Sequence, residues 1–158
     1  MPPFPYPSEA NDFLVGHLQM LRDSLLGLTG RDLAGPGQSQ TEAARRIFHA
    51  PYAVLSHNTD PDPILTYANL TCLRLFGLDW DRLVSTPSRY TAAAADREER
   101  NRLLQRVGEY GYIDDYTGIR VSTDGRRFSI ENATVWNLTD TVGAYRGQAA
   151  TFNRWVYL

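Results

Sequence analysis

The tetrapeptide Thr-Asp-Gly-Arg at residues 123–126 constrains the fold more than any other feature of this chain. An Asp-Gly pair between two runs of β-branched and aromatic residues is a strong signal for a β-hairpin turn. The flanking segments, residues 116–122 and 127–138, are therefore predicted to be antiparallel strands. A further strand is predicted at residues 145–157, after a turn at residues 140–144. The last third of the chain is thus predicted to be β-structure.

A block of helices is predicted between this β-region and two shorter strands. These strands, residues 52–57 and 64–68, flank a turn rich in Asp and Pro. Asn69 is predicted to cap a helix that ends at Gly77. Residues 95–110 carry the charged pattern of a helix with one buried side. Two strands, a helical block and three strands predict an α+β fold with a mostly antiparallel sheet.

Residues 1–50 are predicted to form an N-terminal extension with two helices, ahead of a main domain at residues 51–158. Ser39 and Glu42 form a capping-box pattern at the start of the second helix. The first helix carries five leucines on one face, at alternating spacings of four and three: Leu14, Leu18, Leu21, Leu25 and Leu28. This face either packs on the sheet of its own chain or contacts a second copy, because the leucines form a short coiled-coil stripe. A homodimer is therefore one predicted assembly.

Composition excludes several classes of function. The formal net charge of −2 argues against nucleic acid as a direct partner, because phosphate binding needs a basic surface. Cys72 is the single cysteine, so a disulfide framework and a multi-cysteine metal site are excluded. All basic side chains besides histidine are arginines, which excludes a lysine nucleophile and is typical of a GC-rich bacterial genome. With neither a long apolar run nor a secretory signal, a cytoplasmic protein without membrane contact is predicted.

The order of the predicted elements resembles that of a PAS domain. Three segments are similar to the MEKHLA domain, a PAS-related family that ends certain plant homeodomain–leucine zipper regulators and also occurs alone in bacteria. These segments are residues 118–127 (Gly-Ile-Arg-Val-Ser-Thr-Asp-Gly-Arg-Arg), 133–136 (Ala-Thr-Val-Trp) and 147–152 (Gly-Gln-Ala-Ala-Thr-Phe). The resemblance implies a PAS-like five-stranded antiparallel sheet, with a helical cluster between strands 2 and 3 and two preceding N-terminal helices. The Met-Glu-Lys-His-Leu-Ala hexapeptide that names the family is absent, as are a homeodomain and a zipper.

The strand predicted at residues 127–138 offers a candidate pocket wall. Its alternate residues form an apolar face with two hydrogen-bonding groups in the middle: Phe128, Ile130, Asn132, Thr134, Trp136 and Leu138. Such a face suits a small-molecule pocket, or else a packed core in which the polar groups bond to neighbours. The candidate pocket residues are Tyr67, Asn69, Phe76, Phe128, Ile130, Asn132, Thr134, Trp136 and Gln148. Asn69 is most simply a helix cap, and Trp136 is first a core anchor.

No cofactor is assigned beyond an unidentified small organic ligand. The flavin-binding light sensors among PAS domains carry a reactive cysteine in an Asn-Cys-Arg-Phe-Leu-Gln type motif, which is absent here. Cys72 is therefore predicted to be a buried, inert thiol. Haem is not expected, because none of His17, His49 and His57 lies in the helix where an axial ligand would be. No histidine or carboxylate cluster has the spacing of a metal site.

These features predict a regulatory module that senses a small molecule or binds a signalling protein, without catalytic activity of its own. A ligand-free protein–protein adaptor with a filled core is one alternative. A small α+β cone enzyme of the ketosteroid-isomerase type is another, an isomerase or hydrolase with Asp115, Tyr67 or His57 as the base. The order of elements disfavours the cone enzyme, because such folds place longer helices before most of their strands.

Overall fold

An antiparallel sheet with helices on both faces forms the fold in the computed structural model, which describes residues 2–158. The strands pair in the order β2-β1-β5-β4-β3, and β6 continues β5 along the same edge of β4. The strands are β1 (Ala53–His57), β2 (Leu65–Ala68), β3 (Tyr112–Val121), β4 (Arg127–Thr139), β5 (Tyr145–Phe152) and β6 (Arg154–Tyr157). The predicted α+β, PAS-like fold is confirmed. The single strand predicted at residues 145–157 is divided into β5 and β6.

The helices lie where the sequence predicts them, two before the sheet and a cluster between β2 and β3. They are α1 (Val15–Thr29), α2 (Gln40–Phe48), α3 (Leu70–Phe76), α4 (Trp80–Leu83) and α5 (Arg97–Tyr110), with short 3-10 turns at Glu9–Leu14, Ser88–Thr91 and Ala94–Asp96. None of the helices within residues 2–158 combines the length and apolar character needed to cross a bilayer.

The leucine face of α1 packs on the sheet of its own chain. Leu18 and Leu21 are fully buried, and the Nε1–H of Trp136 on β4 donates to the carbonyl of Leu21 at 3.3 Å. Leu14 and Leu25 are also buried, whereas Leu28 is 37% exposed. The self-packing interpretation therefore accounts for four of the five leucines, and it leaves Leu28 as the member of the set that a second copy could contact.

A bulge in β4 changes which side of the sheet its residues face. Asn132 has a left-handed φ of 52°, and the pairing of β4 with β3 slips there, from Tyr116 opposite Ala133 to Gly118 opposite Ile130. Because side chains alternate along a strand, one extra residue inverts the alternation. Even-numbered residues before the bulge therefore face one side of the sheet, and even-numbered residues after it face the other side.

The prediction that six alternate residues of β4 share one face is therefore wrong. Ile130 lies on the side of the sheet that α5 covers, and the adjacent Phe128 packs its ring on Phe76 at 5.3 Å. Past the bulge, Trp136 points to α1 instead, and Val135 takes the α5 side. The sequence shows no glycine or proline at residue 132 that would mark the irregularity.

The side-chain amide of Asn69 joins α2, β1 and α3. Its Oδ1 accepts from the backbone N–H of Cys72 and of Val54, both at 3.1 Å, which confirms the predicted cap. Its Nδ2 donates to the carbonyls of Ile47 and Tyr52 at 2.9 and 2.7 Å. Asn69 is fully buried, and three of the four hydrogen bonds are buried with it, while the one to Tyr52 is partly buried.

Replacing Asn69 is expected to destabilise the fold far more than the loss of an ordinary helix cap. Asn69→Ala leaves several buried backbone groups without partners and should lower the free energy of unfolding by about 3 kcal/mol. Asp79→Ala, which removes the exposed cap of α4, should cost about 1 kcal/mol. Urea unfolding of both variants measures the difference. Equal losses would contradict the joining role of Asn69.

His17 connects α1 to β1 through its imidazole. Its Nε2 lies 2.9 Å from the hydroxyl of Ser56, and its ring packs on Phe4 at a centroid distance of 4.9 Å. Burial disfavours the charged imidazolium and lowers the pKa of His17 from 6.5 to about 4. The unfolded chain therefore binds a proton at His17 at mildly acidic pH that the folded chain does not bind. The free energy of unfolding therefore decreases as the pH falls from 6.5 towards 4.

The contribution of His17 to this pH dependence can be isolated by substitution. Between pH 7 and pH 5 the unmodified protein should lose up to about 2 kcal/mol more unfolding free energy than His17→Gln, which cannot be protonated. His49→Gln is the matched control, because this side chain is exposed at the end of α2. Urea titrations at the two pH values give the comparison. Parallel losses in the unmodified protein and in His17→Gln would refute the assignment.

Candidate ligand-binding cavity

A partly open cavity of about 50 Å³ lies between the sheet and α5. The sheet contributes its wall from β1, β2, β3, β4 and β5, and the opposite wall comes from α3, α5 and the 3-10 turn at Ser88–Thr91. The side chains that line it are mostly apolar, including Leu55, Leu65, Phe76, Leu103, Leu104, Ile130, Val135 and Phe152. The polar residues of the lining are Ser56, His57, Ser88, Thr91, Arg100, Arg120 and Gln148.

Arg100 enters the cavity from the first half of α5. It precedes Leu103 and Val107 by three and seven residues, so it lies on the buried side of the helix and is only 6% exposed. One Nη donates to the hydroxyl of Ser88 at 2.7 Å. Burial, and next the nearby charge of Arg120, lower the pKa of Arg100 from 12.5 to about 10. Arg100 therefore stays charged at neutral pH, in surroundings that disfavour its charge.

Arg120 enters the same cavity from β3 and is held in place by its own strand. One Nη donates to the carbonyl of Ile119 at 2.8 Å, and the other donates to the hydroxyl of Tyr116 at 3.3 Å. Tyr116 in turn donates to the carboxylate of Glu99 at 2.8 Å. Gly118 makes this arrangement possible, because a Cβ at that position would overlap the Tyr116 ring. Arg120 is 7% exposed.

Neither buried guanidinium has a carboxylate partner within residues 2–158. Every ion pair of the described chain involves other arginines, such as Arg89 with Asp62 at 3.1 Å. Asp62, whose charge acts weakly on Arg100, is thus already paired. Glu99 is exposed and reaches Arg120 only through the hydroxyl of Tyr116. The cavity wall therefore carries two positive charges and no negative one.

His57 and Gln148 face each other across paired strands at one end of the cavity. The Gln148 amide donates to the Leu104 carbonyl and to Asn137 Oδ1, both at 3.1 Å, and so connects β5 to α5. His57 Nδ1 lies 2.9 Å from the carbonyl of Asn58, while its buried Nε2 has no hydrogen-bond partner within the described chain. Burial lowers the pKa of His57, while its contact with the Asn58 backbone opposes this shift; the charge of Arg100 acts with burial, and the nearby Gln148 side chain acts against it.

The residues predicted for a pocket are distributed over three places. Phe76, Ile130 and Gln148 line the cavity, and Phe128 packs beside it on Phe76. Asn132 and Thr134 line a separate, more open depression on the α1 side, where Thr134 accepts from Arg31 at 2.9 Å. The remaining three, Tyr67, Asn69 and Trp136, are buried away from the cavity.

The sequence analysis missed the two arginines, although a signal for each is present. Arg100 shares the helical face of Leu103 and Val107, the buried side of the predicted helix. Arg120 shares the alternating face of Tyr116 and Gly118 in the predicted strand. In both cases the signal is a charged side chain at a position where the hydrophobic pattern predicts burial, because arginine is rarely buried unless it is paired.

Other reactive groups lie outside the cavity. Cys72 is buried in α3, and burial raises the pKa of its thiol well above the usual range, which supports an inert role. Asp114 and Asp115 are exposed at the bulged start of β3. Within residues 2–158, no group of three or more His, Cys, Asp and Glu side chains is placed to hold a metal ion.

Comparison with known proteins agrees with this architecture. The sequence model of the MEKHLA domain matches residues 15–157. No curated protein matches the chain. Three solved structures have similar folds, and at their level of identity the similarity concerns the fold alone.

The first is the crystal structure of a PAS domain from Colwellia psychrerythraea, with a TM-score of 0.61 and 14% identity over 70% of this chain and 91% of that one. The second is an RNA-binding light-oxygen-voltage receptor, with a TM-score of 0.61 and 19% identity over 76% of this chain and 36% of that one. A light-oxygen-voltage domain from work with a flavin analogue has a TM-score of 0.59 and 14% identity, over 74% and 84% of the two chains.

Arg100 is expected to lower the stability of the ligand-free protein. Arg100→Met keeps the apolar stem and removes an unpaired buried charge, so the free energy of unfolding should rise by about 1 kcal/mol or more. Arg102→Met, on the exposed side of the same helix, should change it by less than about 0.5 kcal/mol. Urea unfolding of dialysed protein measures both. A clear decrease in the free energy of unfolding of Arg100→Met would contradict this prediction and show that Arg100 stabilises the fold.

Proposed function

The chain belongs to the MEKHLA domain family, and we propose that it is a sensory regulatory module that binds a small molecule in the cavity between α5 and the sheet. The observation that carries the proposal is the lining of this cavity, an apolar wall with a few fixed polar groups. This combination is the usual composition of small-molecule sites. A fully packed core would not leave such a space between the sheet and α5.

The size of the cavity supports a small ligand. A cavity needs about 10–15 Å³ of this volume to hold one water molecule. A volume of about 50 Å³ therefore accommodates a few non-hydrogen atoms without movement of the walls. Pockets for drug-sized molecules are about 300–1,000 Å³. A flavin would therefore require α5 to move away from the sheet, and Cys72 does not line the cavity.

α5 is the element through which binding would be transmitted. Its buried side carries Arg100 and Leu103 to the cavity, while Glu98 and Arg102 on its other side lie in solvent. A ligand that contacts α5 and the sheet together favours one packing of the helix over others. The exposed side of α5 then presents a different surface to a partner protein or a second copy.

The alternative of a cone-type enzyme receives less support from the surroundings of the three candidate bases. Asp115 is exposed on β3, and Tyr67 is buried next to Trp80 outside the cavity. His57 does line the cavity, but no carboxylate of the described chain lies there with it. Burial also lowers the pKa of His57, which weakens its imidazole as a base.

Native mass spectrometry of the protein purified from its expressing host tests the proposal. The unmodified protein should carry an added mass that is lost on denaturation. Ala150→Leu, which fills the cavity from β5, should lack that mass, whereas Ala95→Leu, at an exposed site, should retain it. Circular dichroism establishes that both variants fold. If no small molecule accompanies the protein and none in a metabolite mixture binds it, the adaptor with a filled core becomes the better explanation.

A further inference from the structure

Two guanidinium groups converge on the cavity, and the chain offers neither of them a carboxylate. We infer that the ligand is a small organic carboxylate, with its charged end at Arg100 and Arg120 and its apolar end against α5 and the sheet. This inference rests on the proposed function, because it names the ligand class of the same cavity.

The charge balance of the cavity is the first argument. A buried charge without a counter-ion is costly. Asp62 is occupied by Arg89, and Glu99 is separated from Arg120 by the Tyr116 hydroxyl. A bound anion would supply the missing negative charge at the place where both positive charges meet the cavity.

The donors are also prepared for an anion. Arg120 is fixed by the Ile119 carbonyl and the Tyr116 hydroxyl, so its orientation is set before a ligand binds. Arg100 uses one donor for Ser88, and the rest of its planar fork has no hydrogen bond to the described chain. The guanidinium fork matches the two oxygens of a carboxylate, and such charge-assisted pairs are about twice as strong as neutral hydrogen bonds.

The remaining wall selects a carboxylate over a more highly charged anion. Leu103, Ile130 and Val135 face the same space as the arginines, and they offer no hydrogen bonds. The hydroxyl of Thr91 and the amide of Gln148, which also line the cavity, already donate to groups of the chain. The additional oxygens of phosphate would therefore find few free donors beside the arginines, which is unfavourable. A short hydrocarbon tail would instead bury itself there, and the volume of about 50 Å³ limits it to a few carbon atoms.

Titration of isotope-labelled protein, followed by NMR, tests the inference with defined probes. Sodium acetate, propionate, butyrate and 3-methylbutyrate are compared with the neutral isostere butyramide and with inorganic phosphate, at constant ionic strength. Butyrate should shift the amide signals of α5 and β3, and butyramide should bind about 10-fold more weakly or not at all. Arg100→Met and Arg120→Met should each weaken butyrate binding by about 10-fold or more. Arg102→Met is the matched control and should bind butyrate as the unmodified protein does.

Four results would overturn the inference, and the first three separate it from the proposed function. Equal binding of butyramide and butyrate would show that the cavity takes small molecules without using its charges. Phosphate binding in place of the carboxylates would assign the arginines to a different anion. If no carboxylate binds while a neutral molecule accompanies the purified protein, the inference fails and the sensory proposal stands. If neither probes nor accompanying molecules bind, both fail.

Discussion

The bulge at Asn132 determines which side chains of β4 face the cavity and which face α1. Before it, β4 sends Ile130 to the cavity side, and after it the strand sends Val135 to the cavity and Trp136 to α1. Without the extra residue, Trp136 would occupy the space between the sheet and α5. The cavity therefore exists because the bulge moves the largest side chain of β4 to the opposite layer. The left-handed φ of an asparagine is the modest local strain that accompanies this arrangement.

The sequence contained most of the fold but not the position of the cavity. Local signals identified the hairpin at residues 123–126 and the Asn69 cap, because each depends on residues close in sequence. The face of β4 was predicted wrongly, since alternation assumes an uninterrupted strand and no residue type announced the bulge. The two arginines were missed for another reason. Their importance lies in the absence of a nearby carboxylate, and such an absence is a property of the assembled structure that no local pattern contains.

The two arginines also explain why the space between α5 and the sheet is not filled by apolar side chains. A leucine or methionine at residue 100 would pack against Leu103 and remove an unfavourable buried charge, which is the route to a more stable protein. Proteins often retain such unfavourable groups where function needs them, at the expense of stability. Arg120 adds a second charge to the same cavity, although its repulsion lowers the pKa of Arg100. If the proposed anion lies between them, each charge gains the counter-ion that the cavity wall does not supply.

An anion bound in this way would couple the ligand to elements distant in sequence. Arg100 belongs to α5 and bonds to Ser88 in the preceding 3-10 turn, whereas Arg120 belongs to β3 and is tied through Tyr116 back to Glu99 of α5. Without the anion, the repulsion between the arginines opposes close packing of α5 on β3. With the anion, the same two side chains draw the helix and the strand together. The net effect of the two arginines on the packing of α5 would therefore depend on whether the proposed anion is bound, and binding would favour one packing of α5 over another.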